Sequence, residues 1–159
     1  NLRSSGNTGE MLIDDLWDMR SERDRYLYET FIRNRPEPKD TDSAKPLVRD
    51  SKANSYVLKN ALCFILDHYT QKLSLNDVAQ HCFVSSWHLS KLLNQYTGRG
   101  FFEIVNIIRL DQAKELLGGS DMKIQEISET VGFQDVAHFS RIFKSYIGCS
   151  PKEYRGRGM

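Results

Sequence analysis

Between Leu75 and Gly148 the chain writes one helical pattern twice. The first copy runs Leu75, Val78, Ala79, Cys82, then Leu89-Ser90-Lys91-Leu92-Leu93 and Tyr96-Thr97-Gly98. The second runs Ile124, Ile127, Ser128, Val131, then Phe139-Ser140-Arg141-Ile142-Phe143 and Tyr146-Ile147-Gly148. The offset is 49 residues in the first half of the pattern and 50 in the second, which puts a one-residue insertion at the turn. Each copy reads as a short helix, a tight turn and a longer helix. This is the helix-turn-helix plan, whose second helix can enter a DNA major groove.

The apolar periodicity predicts helices over about 55–69, 75–82, 86–96, 101–117, 124–130 and 136–146, with a last turn after Pro151. Val57, Leu58, Ala61, Leu62, Ile65 and Leu66 form the inward stripe of the first. Ser74 with Asp77 reads as a capping box and Ser85 as an N-cap. Phe102, Val105, Ile108, Leu116 and Leu117 form the spine of 101–117, which Gly118-Gly119 should stop. Val78, Ala79, Leu89, Leu92, Ile127, Phe139 and Phe143 are core positions. Ala79 and Ser128 are small because the two helices of each unit cross there. In the second turn Gly132 can take positive φ at no cost, whereas Phe83 in the first is less comfortable. No segment has strand periodicity, so the fold class is all-α.

Upstream, residues 1–9 are polar and Gly/Ser-rich and read as disordered. Residues 10–33 read as one amphipathic helix, with Leu12, Ile13, Leu16, Met19, Leu27 and Phe31 on a stripe. Arg20–Asp24 and Arg25–Glu29 are expected i,i+4 pairs. Its apolar side should dock on a partner chain, on the C-terminal domain or on a domain further upstream. Residues 34–52 hold three of the four prolines and read as a linker. The domain plan is therefore 1–33, 34–52 and 53–159, the last divided into 53–100, the connecting helix 101–117 and 118–159. Because the chain starts at Asn1 rather than Met, we expect a fragment or processed form.

Formal net charge is only +1, with 22 basic and 21 acidic residues, so any nucleic-acid binding must depend on where charges sit. Cys63, Cys82 and Cys149 are far apart, which fits buried free thiols and a reducing compartment. No apolar run reaches membrane-spanning length. No Ser-His-Asp order, metal cluster, phosphate loop or paired carboxylate is apparent, so an enzyme, a cofactor and a metal are not expected.

The outward faces of the two longer helices carry the functional information. In 86–96 these are Trp87, His88, Ser90, Lys91, Asn94 and Gln95. In the second unit they are Gln134, Asp135, Val136, Ala137, His138, Ser140, Arg141 and Lys144. Lys91 and Arg141 occupy matched positions, where a cation reaches guanine O6/N7 or a phosphate. Trp87 either packs on thymine methyls and sugar or caps the core edge. His88 and His138, also matched, read as structural or phosphate-facing. Lys59, Arg109, Lys114, Lys123 and Lys144 are candidate phosphate contacts, each weighed against an ordinary solvated charge.

The stretch from about Val57 to Arg155 resembles the AraC/XylS family of bacterial transcription regulators. The residues that carry this are Ile127, Gly132-Phe133, Phe139-Ser140-Arg141-Ile142-Phe143-Lys144, Gly148-Cys149-Ser150-Pro151 and Tyr154-Arg155. The resemblance implies two helix-turn-helix subdomains joined by a linker helix, binding double-stranded DNA as a transcription activator. It also implies that Trp87, Ser90, Lys91, Val136, Ala137, His138 and Arg141 face the bases. The family often has Phe-Lys where this chain has Leu93-Asn94, and Val136-Ala137 is unusually apolar. RNA polymerase is an expected partner. A homodimer through the 10–33 helix or an upstream domain, and a cytoplasmic location, are further expectations. The competing reading is a protein-interaction module using helices 10–33 and 101–117.

Overall fold

The computed structural model describes residues 16–36 and 51–157. Expectations for residues 1–15 and for most of the 34–52 linker, Pro38 and Pro46 included, lie outside the described residues. The described part is helical and divides into two compact units. One holds the residues up to Ile65 together with Ser74–Phe101. The other holds Leu66–Leu73 and the residues from Phe102 onward.

Residues 16–33 are not one helix. Trp17–Ser21 break the chain, and Ser21 caps α1 (Glu22–Leu27) by accepting the Asp24 N–H at 3.3 Å. The helix then widens into a π-helical turn over Tyr28–Arg33, in which the consecutive side chains Phe31 and Ile32 are both buried. The expected pairs are also replaced. Arg20 pairs with Asp18, Glu29 with Arg33, and Asp24 with Lys59 of the following helix.

That helix, α2 (Lys52–His68), buries Leu58, Ala61, Leu62 and Ile65 as its spacing predicts, while Val57 and Leu66 are half-buried. α3 (Leu75–His81) opens with the full reciprocal box. Ser74 N–H donates to Asp77 at 3.0 Å and Asp77 N–H donates to Ser74 Oγ at 3.0 Å. α4 (Ser86–Thr97) starts at Ser85, whose Oγ accepts the His88 N–H. It ends at Gly98, which has φ +71°.

In the second unit, α5 (Phe101–Gly119) is longer than expected and takes both glycines into its last turn. The stop comes at Ser120, whose hydroxyl returns to the Leu116 carbonyl and accepts the Met122 N–H. Of the expected spine Val105, Ile108 and Leu117 are buried and Leu116 is half-buried, and only Phe102 is out of place. Phe102 is 70% exposed and Phe101 is buried in its place, with Ile104, Val105, Ile108, Leu110, Ala113 and Leu117 behind it. α6 (Ile124–Thr130), α7 (Val136–Ile147) and α8 (Pro151–Arg157) complete the unit around Phe139 and Phe143.

The two turns share one backbone design. Phe83 has φ +61° and Gly132 φ +109°. After each, a backbone N–H returns to the small residue of the preceding helix: Val84 to Ala79 at 3.1 Å and Phe133 to Ser128 at 2.9 Å. The helix caps that follow, Ser85 and Asp135, are also matched, so the inserted residue is Gln134, exposed between turn and cap. Ala79 and Ser128 are both buried, but the Ser128 hydroxyl has no hydrogen-bond partner among the described residues.

Three substitutions test this geometry by chemical denaturation. Ser128→Ala removes an unsatisfied buried hydroxyl and copies the first unit. It should raise stability by about 1 kcal/mol. Gly132→Ala should lower it by about 2–3 kcal/mol, since an added Cβ meets the Tyr69 carbonyl at 2.7 Å. Phe83 is 93% exposed, so Phe83→Gly loses no burial and should gain up to about 1 kcal/mol from relieved backbone strain. A destabilised Ser128→Ala or an unaffected Gly132→Ala would contradict the shared design.

Candidate nucleic-acid interface

Each longer helix is twelve residues long, begins at a matched polar cap and ends at a matched positive-φ glycine. The inner side is used for packing. α4 buries Leu89, Leu92, Leu93, Tyr96 and Thr97, and α7 buries Phe139 and Phe143. What remains on the outside is therefore dictated by the period of the helix.

On α4 the outer face brings Trp87, Ser90, Lys91 and Asn94 together. Trp87 is 61% exposed, and the Lys91 ammonium lies over its ring at 5.6 Å from the centroid. Of the two readings open for Trp87, exposure favours a surface contact over a cap on the core. Asn94 folds back to donate to the Ser90 carbonyl at 2.9 Å, and Gln95 is half-buried. Ser86 donates to Asn76 of α3 at 3.2 Å, fixing the first turn. His88 faces inward: its Nε2 lies 2.9 Å from Asn54 Oδ1 on α2. Of the structural and phosphate-facing readings of His88, this contact favours the structural one, a tether between helices, and Asn54 is a residue that sequence reasoning missed.

On α7, Asp135 caps the helix by accepting the Ala137 N–H at 3.0 Å. Gln134, Ala137, His138, Arg141 and Lys144 are exposed and Ser140 is half-buried. His138 sets its edge against Phe133, with centroids 5.8 Å apart. Val136, expected to face outward, packs partly on the core cluster. Lys123 is exposed at the start of α6, where Glu126 already accepts its backbone N–H at 3.0 Å.

Two of the candidate phosphate contacts make internal bonds instead. The Arg109 guanidinium is an internal staple. Its Nε donates to the Tyr69 carbonyl at 2.8 Å and Nη2 to the Gln71 carbonyl at 3.1 Å, and it lies over the Phe133 ring. Burial pulls its pKa below the ordinary guanidinium value, yet two carbonyls and a ring face keep the charge satisfied. Lys59 likewise turns inward, to the Leu16 carbonyl and the Asp24 carboxylate.

The C-terminal motif is also structural. Ser150 and Glu153 form a reciprocal box that opens α8 ahead of Pro151. The hydrogen bonds from Ser150 hold the Glu153 carboxyl below its usual range. Tyr154 meets the Phe143 ring edge-on, and Arg155 donates to the carbonyls of Leu117 and Ser120 at the end of α5.

Paired helix-turn-helix units with free outer faces on their second helices define a class of nucleic-acid-reading domain. Comparison with known proteins sharpens it. The family described as helix-turn-helix domain matches residues 78–157, just over half of the chain. The regulatory protein PocR of Salmonella typhimurium is 37% identical over 110 residues, covering 69% of this chain and 35% of that protein. The C-terminal domain of AraT, a response regulator from Geobacillus stearothermophilus, superposes with TM-score 0.62 at 35% identity, covering 64% of this chain and 84% of that one. The C-terminal domain of the response regulator YesN from Fusobacterium nucleatum gives 0.58 at 32%, covering 66% and 99%. The chain belongs to the AraC-type helix-turn-helix family of DNA-binding transcription regulators. This is a family of regulators and not of enzymes. The chain spans about a third of the length of the curated relatives it matches.

The staple is tested by Arg109→Met. We expect a loss of about 1–3 kcal/mol in unfolding free energy with no change in the salt dependence of DNA binding. A reduced salt slope with unchanged stability would return Arg109 to the phosphate contacts.

Proposed function

We propose that the chain is a sequence-specific, double-stranded-DNA-binding transcription regulator, acting as an activator, with α4 and α7 as its reading helices. The observation that carries this is the matched pair of outer faces, each with a cation at the same repeat position, Lys91 and Arg141. Among the described residues neither cation enters the buried core of its unit, and Lys91 rests on the exposed Trp87 ring. Family membership and the regulatory names of the relatives support the same reading.

In this reading Trp87, Ser90 and Lys91 of α4 and Ala137, His138 and Arg141 of α7 face base edges, with Val136 contributing at most the rim of an apolar contact. Gln134, Ser140 and Lys144, with Asn94, Gln95 and Lys123, lie toward the phosphates. Trp87 supplies a large apolar surface for a thymine methyl or sugar, and its ring holds the Lys91 ammonium ready for guanine O6/N7. The smaller Ala137 leaves Arg141 free to extend as a fork. The two units would then enter adjacent major grooves, one duplex turn or roughly 34 Å apart. RNA polymerase contact and a homodimer belong to the whole protein and are proposed with it. In the first unit Leu27 and Phe31 of the 16–36 segment are fully buried, so a homodimer through the 10–33 segment would use its other residues, and one through an upstream domain stands beside it. A cytoplasmic location follows from the DNA partner. Among the described residues no helix is long and apolar enough to cross a membrane.

The test starts from a site recovered by footprinting a genomic fragment library. On that site Lys91→Ala and Arg141→Ala should each weaken binding by about 1–3 kcal/mol and relax preference at one base pair. Affinity should fall steeply with salt. If both variants keep wild-type affinity and preference, the assignment of these two helices is wrong.

A further inference from the structure

We infer that residues Trp17–Pro36 brace the first reading helix, and that Lys59 and Asp24 are positioning residues for DNA recognition by α4. The inference rests on the reading of α4 given above. The segment precedes the family match at 78–157, and the sequence offers only an amphipathic stripe to explain it.

The structure fastens it at two places. On α2, the Lys59 ammonium meets the Leu16 carbonyl, the Asp24 carboxylate at 3.1 Å and the face of Trp17 at 5.4 Å. Asp24 also accepts the Asp18 N–H at 2.9 Å. The two charged side chains are only 25% and 12% exposed, so removing either strands the other with little water. Arg23 adds a bond to the Cys63 carbonyl at 3.1 Å. At the far end, Arg35 donates to the Tyr96 carbonyl at 3.4 Å. Pro36 lies so close to Gly98 that an added Cβ there would meet its Cγ at 3.0 Å. Tyr96 and Gly98 are the last turn and the cap of α4.

The segment therefore runs from α2 to the C-terminal end of α4 and leaves the exposed Trp87 uncovered. It is a brace, not a lid. The other end of α4 is tied to the same α2 through His88 and Asn54. A rigid helix held at both ends cannot pivot, and hydrogen-bond readout of bases tolerates only about 0.5 Å of misplacement. The second unit differs: an added Cβ at Gly148, the equivalent cap of α7, has nothing within 4 Å. Among the described residues the end of α7 is held instead from the following helix, where Tyr154 of α8 meets Phe143, so the brace from the preceding segment is particular to the first reader.

The experiment uses the full chain and the footprinted site, together with two versions in which one or the other half-site is scrambled. Lys59→Met and, as a gentler variant, Arg35→Ala should weaken binding to the intact site by roughly tenfold. Both are measured where their circular dichroism matches wild type. The loss should persist when the α7 half-site is scrambled and vanish when the α4 half-site is scrambled. The salt slope should stay the same, because no phosphate contact is removed. Lys59→Arg should recover the affinity. Release of the segment is followed by Trp17 fluorescence in a Trp87→Phe background, since the chain has two tryptophans. Release without loss of affinity, or equal loss on both half-sites, overturns the inference. A wild-type chain that binds no DNA at all overturns the underlying reading and the brace with it, and that control separates the two failures.

Discussion

A left-handed backbone residue between two helices is the constraint on which each unit depends. It lets the second helix double back closely enough for an N–H beyond the turn to reach the carbonyl of Ala79 or Ser128. The crossing residue must then be small, and it is. Once that contact is made, the apolar period of the second helix determines which side is buried. The outer face follows by subtraction. In the second unit glycine supplies the turn, and Tyr69 and Arg109 close over it, so the space a side chain would need is already taken. In the first unit a phenylalanine occupies the strained position and points into solvent. The same geometry is thus reached once with ease and once against the backbone preference.

Around this constraint, cations are used in two distinct ways. Lys59, Arg109 and Arg155 are spent inside the units, each gathering backbone carbonyls that would otherwise lie unpaired at a helix or loop end. Lys91 and Arg141 stay at the surface.

What could be read from the chain, and what could not, follows the range of the interactions. Ser74, Asp77 and Ser85 act within three residues, and their caps were legible as spacing. The positive φ at Gly132 and the discomfort of Phe83 were legible for the same reason. For Lys59 and Arg109 the sequence offered a phosphate contact or a solvated charge and not an internal bond, because the backbone carbonyls they reach lie about 40 residues away and carry no sequence signature. His88 was ambiguous until Asn54, 34 residues earlier, was placed beside it. Phe101 and Phe102 are identical in type, so composition could not say which of the two turns inward. The 10–33 stripe was real in part, but Asp18 and Ser21 interrupt it with caps of their own. The apolar part that remains serves the neighbouring helices.

The way the chain is shared between the units has a consequence for synthesis. Leu66–Leu73 belong with the second unit although they lie between two parts of the first. A nascent chain can assemble the first unit once Phe101 has left the ribosome. The Tyr69 and Gln71 carbonyls must wait for Arg109, whose guanidinium is itself covered only when Phe133 arrives. During that interval Tyr69 and Gln71 lack the bonds that hold them in the finished chain. Vectorial assembly would therefore be sequential here, with the earlier piece settled before its own middle loop is closed.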